Sequence, residues 1–91
     1  PFIFGTPKTK DFLNFKKIID ESKFSYTEIK NLYFFSTKRW DLELKKNILI
    51  KLPNNLTKES MNLIFEFLHD NNFKDIKIID ARIKNQIILN D

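Results

Sequence analysis

Cysteine is absent from this 91-residue chain, glycine occurs once, at Gly5, and arginine only twice, at Arg39 and Arg82. Without cysteine there are no disulfides, no thiol nucleophile and no cysteine-ligated zinc. A lone glycine argues against any loop that wraps its backbone round a phosphate. No nucleophile elbow and no metal-ligand spacing occurs either. The single histidine, His69, falls near the end of a predicted helix, where a cation suits the dipole. Asp41 with Glu43, or Asp70 with Asp75, could be paired on paper, but nothing in the pattern brings either pair into a pocket. No catalytic residue, cofactor, metal or small-molecule substrate is expected.

Long apolar runs are also missing: none approaches the ~20 residues that span a bilayer. The start carries no signal-peptide pattern, and Pro1 is no natural initiator, so an upstream segment is expected. The size and 42% hydrophobic content suit a single α+β domain over residues 1–91.

What is abundant is lysine, isoleucine, asparagine and phenylalanine. The net charge of +4 and pI near 9.4 invite a nucleic-acid reading, through aromatic-rich strands and scattered lysines. The basic residues are interspersed with Asp and Glu, however, and no RNP-like pattern accompanies the aromatics. No nucleic-acid partner is expected from this pattern. That class stands as the alternative.

Periodicity orders the chain. FIFG (2–5) suits a short strand. Thr6 as cap and Pro7 at the first helical position predict a helix over about 7–22, with Phe12, Phe15, Ile18 and Ile19 facing a core. Residues 28–36 read as an aromatic strand. RWDLEL (39–44) alternates cleanly, placing Trp40, Leu42 and Leu44 on one face. Lys45-Lys46-Asn47 then turns the chain into ILIKLP (48–53). Thr57 caps a second helix with Met61, Ile64, Phe65 and Leu68 on its apolar side, ended by Asn71-Asn72. DIKIIDARI (75–83) and QIILN (86–90) make a last hairpin around Lys84-Asn85. The expected order is β-α-β-β-β-α-β-β, with both helices on one face of a mostly antiparallel sheet.

The final strand stands out because it carries none of the lysines, prolines or bulges that usually blunt a sheet edge. If it lies at the edge, it can accept a strand from another chain; if residues 2–4 or a further tail cover it, it cannot. A proline at Ile88 removes one N–H of this strand. It spares the fold only if that N–H faces outward.

Two motifs in order resemble the bacterial cell-division family FtsQ, also called DivIB, in its alphaproteobacterial form. RWDLELKKNILIKLP (39–53) resembles that family's RRWDLRL…VKLP hairpin, and DIKIIDARIKNQIIL (75–89) resembles its DI…IDLRLPDRV ending. Arg39 and Arg82 fall on the two arginine positions. Ala81 replaces a leucine, Lys84 replaces a proline, and Asn47 meets Ile48 without the family's turn glycine. The resemblance implies a non-enzymatic scaffold on the periplasmic side of the inner membrane at the division septum, anchored through an upstream helix. It implies FtsB- and FtsL-type partners, held in part by strand addition. By position, the contact strip is Arg82, Ile83, Asn85, Gln86, Ile87, Ile88, Leu89 and Asn90. Arg82 would pair with a partner carboxylate, and Ile83 would sit where the family has an apolar or aromatic anchor.

Overall fold

A computed structural model describes residues 1–70, 77–83 and 86–90. The strands are β1 (Phe2–Phe4), β2 (Ile29–Phe34), β3 (Trp40–Leu44), β4 (Leu49–Lys51), β5 (Ile78–Asp80) and β6 (Ile88–Asn90). The helices are α1 (Thr9–Glu21) and α2 (Lys58–Asp70), with a short 3₁₀ turn at Tyr26–Glu28 before β2. This is an α+β fold in the expected order of elements. Asn71-Asn72, Asp75 and the Lys84-Asn85 turn lie outside the described residues.

One six-stranded sheet runs β1-β2-β3-β4-β5-β6 in space as in sequence. It is a mixed sheet: β1 with β2 and β4 with β5 are parallel, and the other three pairings are antiparallel. Three of the five pairings are antiparallel, as expected, and the two parallel ones follow from what each helix does. α1 and α2 each carry the chain back along its own length, and a strand returned by a crossover helix must run parallel to the one it left.

Register explains the core. Ile3, Leu32, Leu42, Ile50, Ile79 and Leu89 are successive partners across all six strands and so share one face. The four central members are completely buried, while Ile3 and Leu89 at the ends are 41% and 37% exposed. Phe15 and Ile19 of α1 and Met61 and Ile64 of α2 close over that face in the same apolar cluster. Trp40 stacks on Phe15 at 4.6 Å and leans on Phe34 at 4.8 Å. Its side chain is part of the core, on the face that it shares with Leu42 and Leu44. The helices are tied where the Lys23 N–H donates to Asn62 Oδ1 at 2.7 Å and Lys23 pairs with Glu66.

Helix and turn ends differ in detail from the sequence reading. α1 begins at Thr9, two residues after the expected Pro7, because Asp11 is positioned to accept the Lys8 N–H at 3.1 Å and complete that end. Thr57 does cap α2, accepting the Ser60 N–H at 3.1 Å. Between β3 and β4, Asn47 takes φ 64°, the left-handed conformation that a turn glycine would otherwise supply. Gly5, at φ 101°, ends β1 where a Cβ would run into the Phe34 carbonyl.

Candidate functional site

β6 is the last strand of the sheet, and β1, which could have covered it, lies at the opposite edge. The side of β6 away from β5 is therefore open among the described residues. Which of its peptide groups face out follows from its neighbours. Leu49 donates its N–H to the Lys77 carbonyl at 2.8 Å, and the Ala81 N–H donates to the Lys51 carbonyl at 2.9 Å. The Lys77 carbonyl and the Ala81 N–H thus turn toward β4, and by alternation Ile78 and Asp80 turn toward β6, where the Lys77 N–H also donates to the Asn90 carbonyl at 3.3 Å. Their partners are Asn90 and Ile88, so these two use their N–H and C=O groups inward. Ile87 and Leu89 are the residues whose peptide groups face outward. This answers the question about Ile88: its N–H belongs to the β5 ladder, and a proline there breaks the sheet rather than a docking bond.

Side chains alternate along the same strand. Ile87 packs against the core cluster and Leu89 covers its end, whereas Ile88 lies on the other face of the sheet, 45% exposed. Gln86 is exposed, and its N–H donates to the Ile83 carbonyl at 3.0 Å, closing the turn from β5. Ile83 is 56% exposed. Asn90 is exposed at the end of β6. Asn85, also expected in the contact strip, lies outside the described residues.

Arg82 is already engaged. Its Nε and Nη2 donate to Asp80 Oδ1 and Oδ2 at 2.9 and 2.6 Å, and its backbone N–H donates to Oδ1 at 3.1 Å. The guanidinium hydrogen bond holds the Asp80 carboxyl below the usual aspartate range and raises Arg82 in return. A second carboxylate would have to use the guanidinium hydrogens that Asp80 does not take.

Arg39 does the same with Asp41, donating from Nε at 3.2 Å and from Nη2 at 3.3 Å. Asp41 is only 4% exposed, and there burial outweighs Arg39 and pushes the carboxyl up. Register sets Asp41 beside Lys51 and Lys51 beside Asp80. The two arginines of the sequence motifs, forty-odd residues apart, therefore flank one alternating row of charges on the face opposite the helices. Sequence reading treated Arg39 and Arg82 separately and did not name Asp80, although R-x-D and D-x-R at a spacing of two on a strand put each pair on one face.

Beside this row is a groove of about 750 Å³ between the start of α2 and the β5–β6 turn. Ile83, Ile87 and Arg82 line one wall, and Pro53, Leu63 and Ser60 another. The groove was not legible in the sequence, because its walls are brought together only when α2 returns over the sheet.

The far end of the open face is different. Phe4 stacks on Tyr33 with ring centroids 5.2 Å apart, and Glu43 accepts from Asn31 Nδ2 at 2.7 Å and from the Tyr33 hydroxyl at 3.4 Å. On this face Asp41, Glu43 and Asp80 alternate with Arg39, Lys51 and Arg82, so among the described residues its charges are mixed rather than of one sign. Among the described residues no cluster of His, Asp and Glu could hold a metal, and no helix is long and apolar enough to cross a membrane. No family model matches the chain, and no curated protein matches it.

Proposed function

We propose that the chain is a non-enzymatic scaffold module of the bacterial division machinery, of the FtsQ/DivIB kind. In this reading it binds an FtsB/FtsL-type partner by adding the partner's strand to β6. The observation that carries it is the position of β6 at a sheet edge that is open among the described residues, with the peptide groups of Ile87 and Leu89 directed away from the sheet. Main-chain pairing there would supply affinity, and the flanking side chains would select the partner. Ile83 and the groove behind it offer an apolar seat, and Arg82, held in place by Asp80, offers directed donors to a carboxylate. The same reading puts the module on the periplasmic side of the inner membrane, with an anchor upstream.

Amide exchange tests it. Addition of an FtsB-type peptide should slow exchange at Ile87 and Leu89 by tenfold or more, while Ile88 and Asn90, already bonded inward, change much less. A peptide that binds while leaving Ile87 and Leu89 unprotected would place the interface elsewhere. A peptide that does not bind at all would remove the division-scaffold assignment.

A further inference from the structure

The edge opposite β6 carries a second opportunity for pairing, with different chemistry. β1 is Phe-Ile-Phe, and its three side chains are 77%, 41% and 52% exposed. It has no charge, no proline and no bulge to discourage another strand. Its outward peptide group can be identified. The Phe35 N–H donates to the Arg39 carbonyl at 3.0 Å, so Phe35, Tyr33 and Asn31 turn toward β3, and Leu32 turns toward β1. In the parallel pairing Leu32 lies opposite Ile3, and its bonds run to the peptide groups of Phe2 and Phe4. Ile3 is left with both its N–H and its C=O facing out.

We infer that β1 pairs antiparallel with β1 of a second copy of this chain, across a two-fold axis at Ile3. Three features select that partner. The sequence FIF reads the same in both directions, so antiparallel pairing centred on Ile3 sets phenylalanine against phenylalanine and isoleucine against isoleucine. The outward groups of the two Ile3 residues then form one complete hydrogen-bonded pair, each donating to the other. Finally, Phe4 already stacks on Tyr33 at 5.2 Å, close to the ~4.8 Å spacing of adjacent strands. The next rung of that ring ladder is the position that the partner's Phe2 takes in this register. Cross-strand aromatic pairs of this kind are among the stronger sheet contacts.

The contact is isologous, so it closes at two copies. Three short-strand side chains fall well below the ~1,200–2,000 Å² of a stable interface, so the pairing is weak and reversible. It uses the edge remote from β6, and it does not depend on the division-scaffold reading.

Sedimentation velocity across a concentration series reaching the millimolar range tests it, alongside cross-linking. Because the chain lacks cysteine, Ile3→Cys introduces a unique thiol. In the paired register its Cα lies ~5.5 Å from its mate, within disulfide reach. The expected result is a sedimentation coefficient that rises to a dimer limit. Under mild oxidation, Ile3→Cys should dimerise at least fivefold faster than Ser36→Cys, at an exposed turn outside β1 and off the proposed two-fold axis. Ile3→Lys, and Ile3→Pro where its circular dichroism matches the parent, should stay monomeric at every concentration. Concentration-independent monomers, or equal cross-linking of Ile3→Cys and Ser36→Cys, overturn the inference. Growth past dimers overturns it too, in favour of head-to-tail joining of β1 to β6.

Discussion

β1 and β6 are both three-residue strands at opposite ends of one sheet, and among the described residues both direct peptide groups outward, yet they offer different things. β1 is aromatic, parallel to its neighbour and without charge of its own. Its flanking side chain is Tyr33, already stacked on Phe4. β6 is aliphatic, antiparallel to its neighbour and joined to it through Arg82 and Ile83, with the Asp41–Lys51–Asp80 row leading up to it. The backbone of an edge strand is generic. What selects an occupant is the side chains beside it, so on the two readings proposed above one edge would take a copy of itself and the other a partner that brings a carboxylate.

The comparison presumes that both edges are dispensable to stability, and truncation along the single row from Ile3 to Leu89 tests this most severely. Ile50→Ala removes a completely buried side chain at the centre and should cost about 2–5 kcal/mol. Ile3→Ala and Leu89→Ala, partly exposed at the ends, should each cost less than about 1 kcal/mol. Urea denaturation of the three variants measures this. A large cost at either end would mark that strand as core and withdraw it as a docking edge.

A pair of prolines separates inward from outward at β6. Ile88→Pro deletes a ladder bond to β5 and should destabilise the domain by about 1–3 kcal/mol. Leu89→Pro deletes an outward N–H. It should cost no more than Leu89→Ala, less than about 1 kcal/mol, while weakening binding of an FtsB-type peptide at least tenfold. Equal losses of stability in the two variants would show that the alternation assigned to β6 is wrong.

Much of this is legible in the order of the residues alone. Alternation in RWDLEL and ILIKLP locates the hairpin, its buried face and Trp40, because a period of two can satisfy only one buried face. The helical stripes of Phe15 and Ile19, and of Met61 and Ile64, are legible for the same reason at a period of 3.6. The parallel pairings are not, since a local pattern does not say which strand a crossover helix returns to. That placement decides that β1 and β6 occupy opposite edges. Within the candidate site, Ile83 and the last strand can be named from sequence. The inward orientation of Ile88 and the groove depend on neighbours far along the chain. The two arginine–aspartate clamps, Arg39 on Asp41 and Arg82 on Asp80, are recoverable in principle from residue spacing, but their electrostatics are not: burial of Asp41 follows from the strands on either side of it.

The smallest expected effect concerns those clamps, which flank the sheet's central strand pair on one side and the β6 turn on the other. Asp80 is held low by its hydrogen bonds from Arg82, so folding favours its ionised form. Its contribution to stability is therefore present above the ordinary aspartate value of about 3.9 and is lost as the pH falls through the lower folded value. Asp41 is raised by burial despite Arg39, so its ionised form is disfavoured by folding. Its contribution is present at low pH and is lost as the pH rises through the raised folded value. Carboxyl NMR titration should place the Asp80 midpoint below the ordinary value and that of Asp41 above it. Asp80→Asn should remove an acid-labile component of stability near β6, while Asp41→Asn should flatten a loss that appears on raising the pH. Two aspartates titrating on the same side of the ordinary value would mean that the clamps are equivalent and that Arg82 is not set apart beside β6. On the proposed reading, the arginine beside β6 is held by a carboxyl that folding keeps ionised to lower pH, and the donors it does not give to Asp80 would be available to an acid on an added strand.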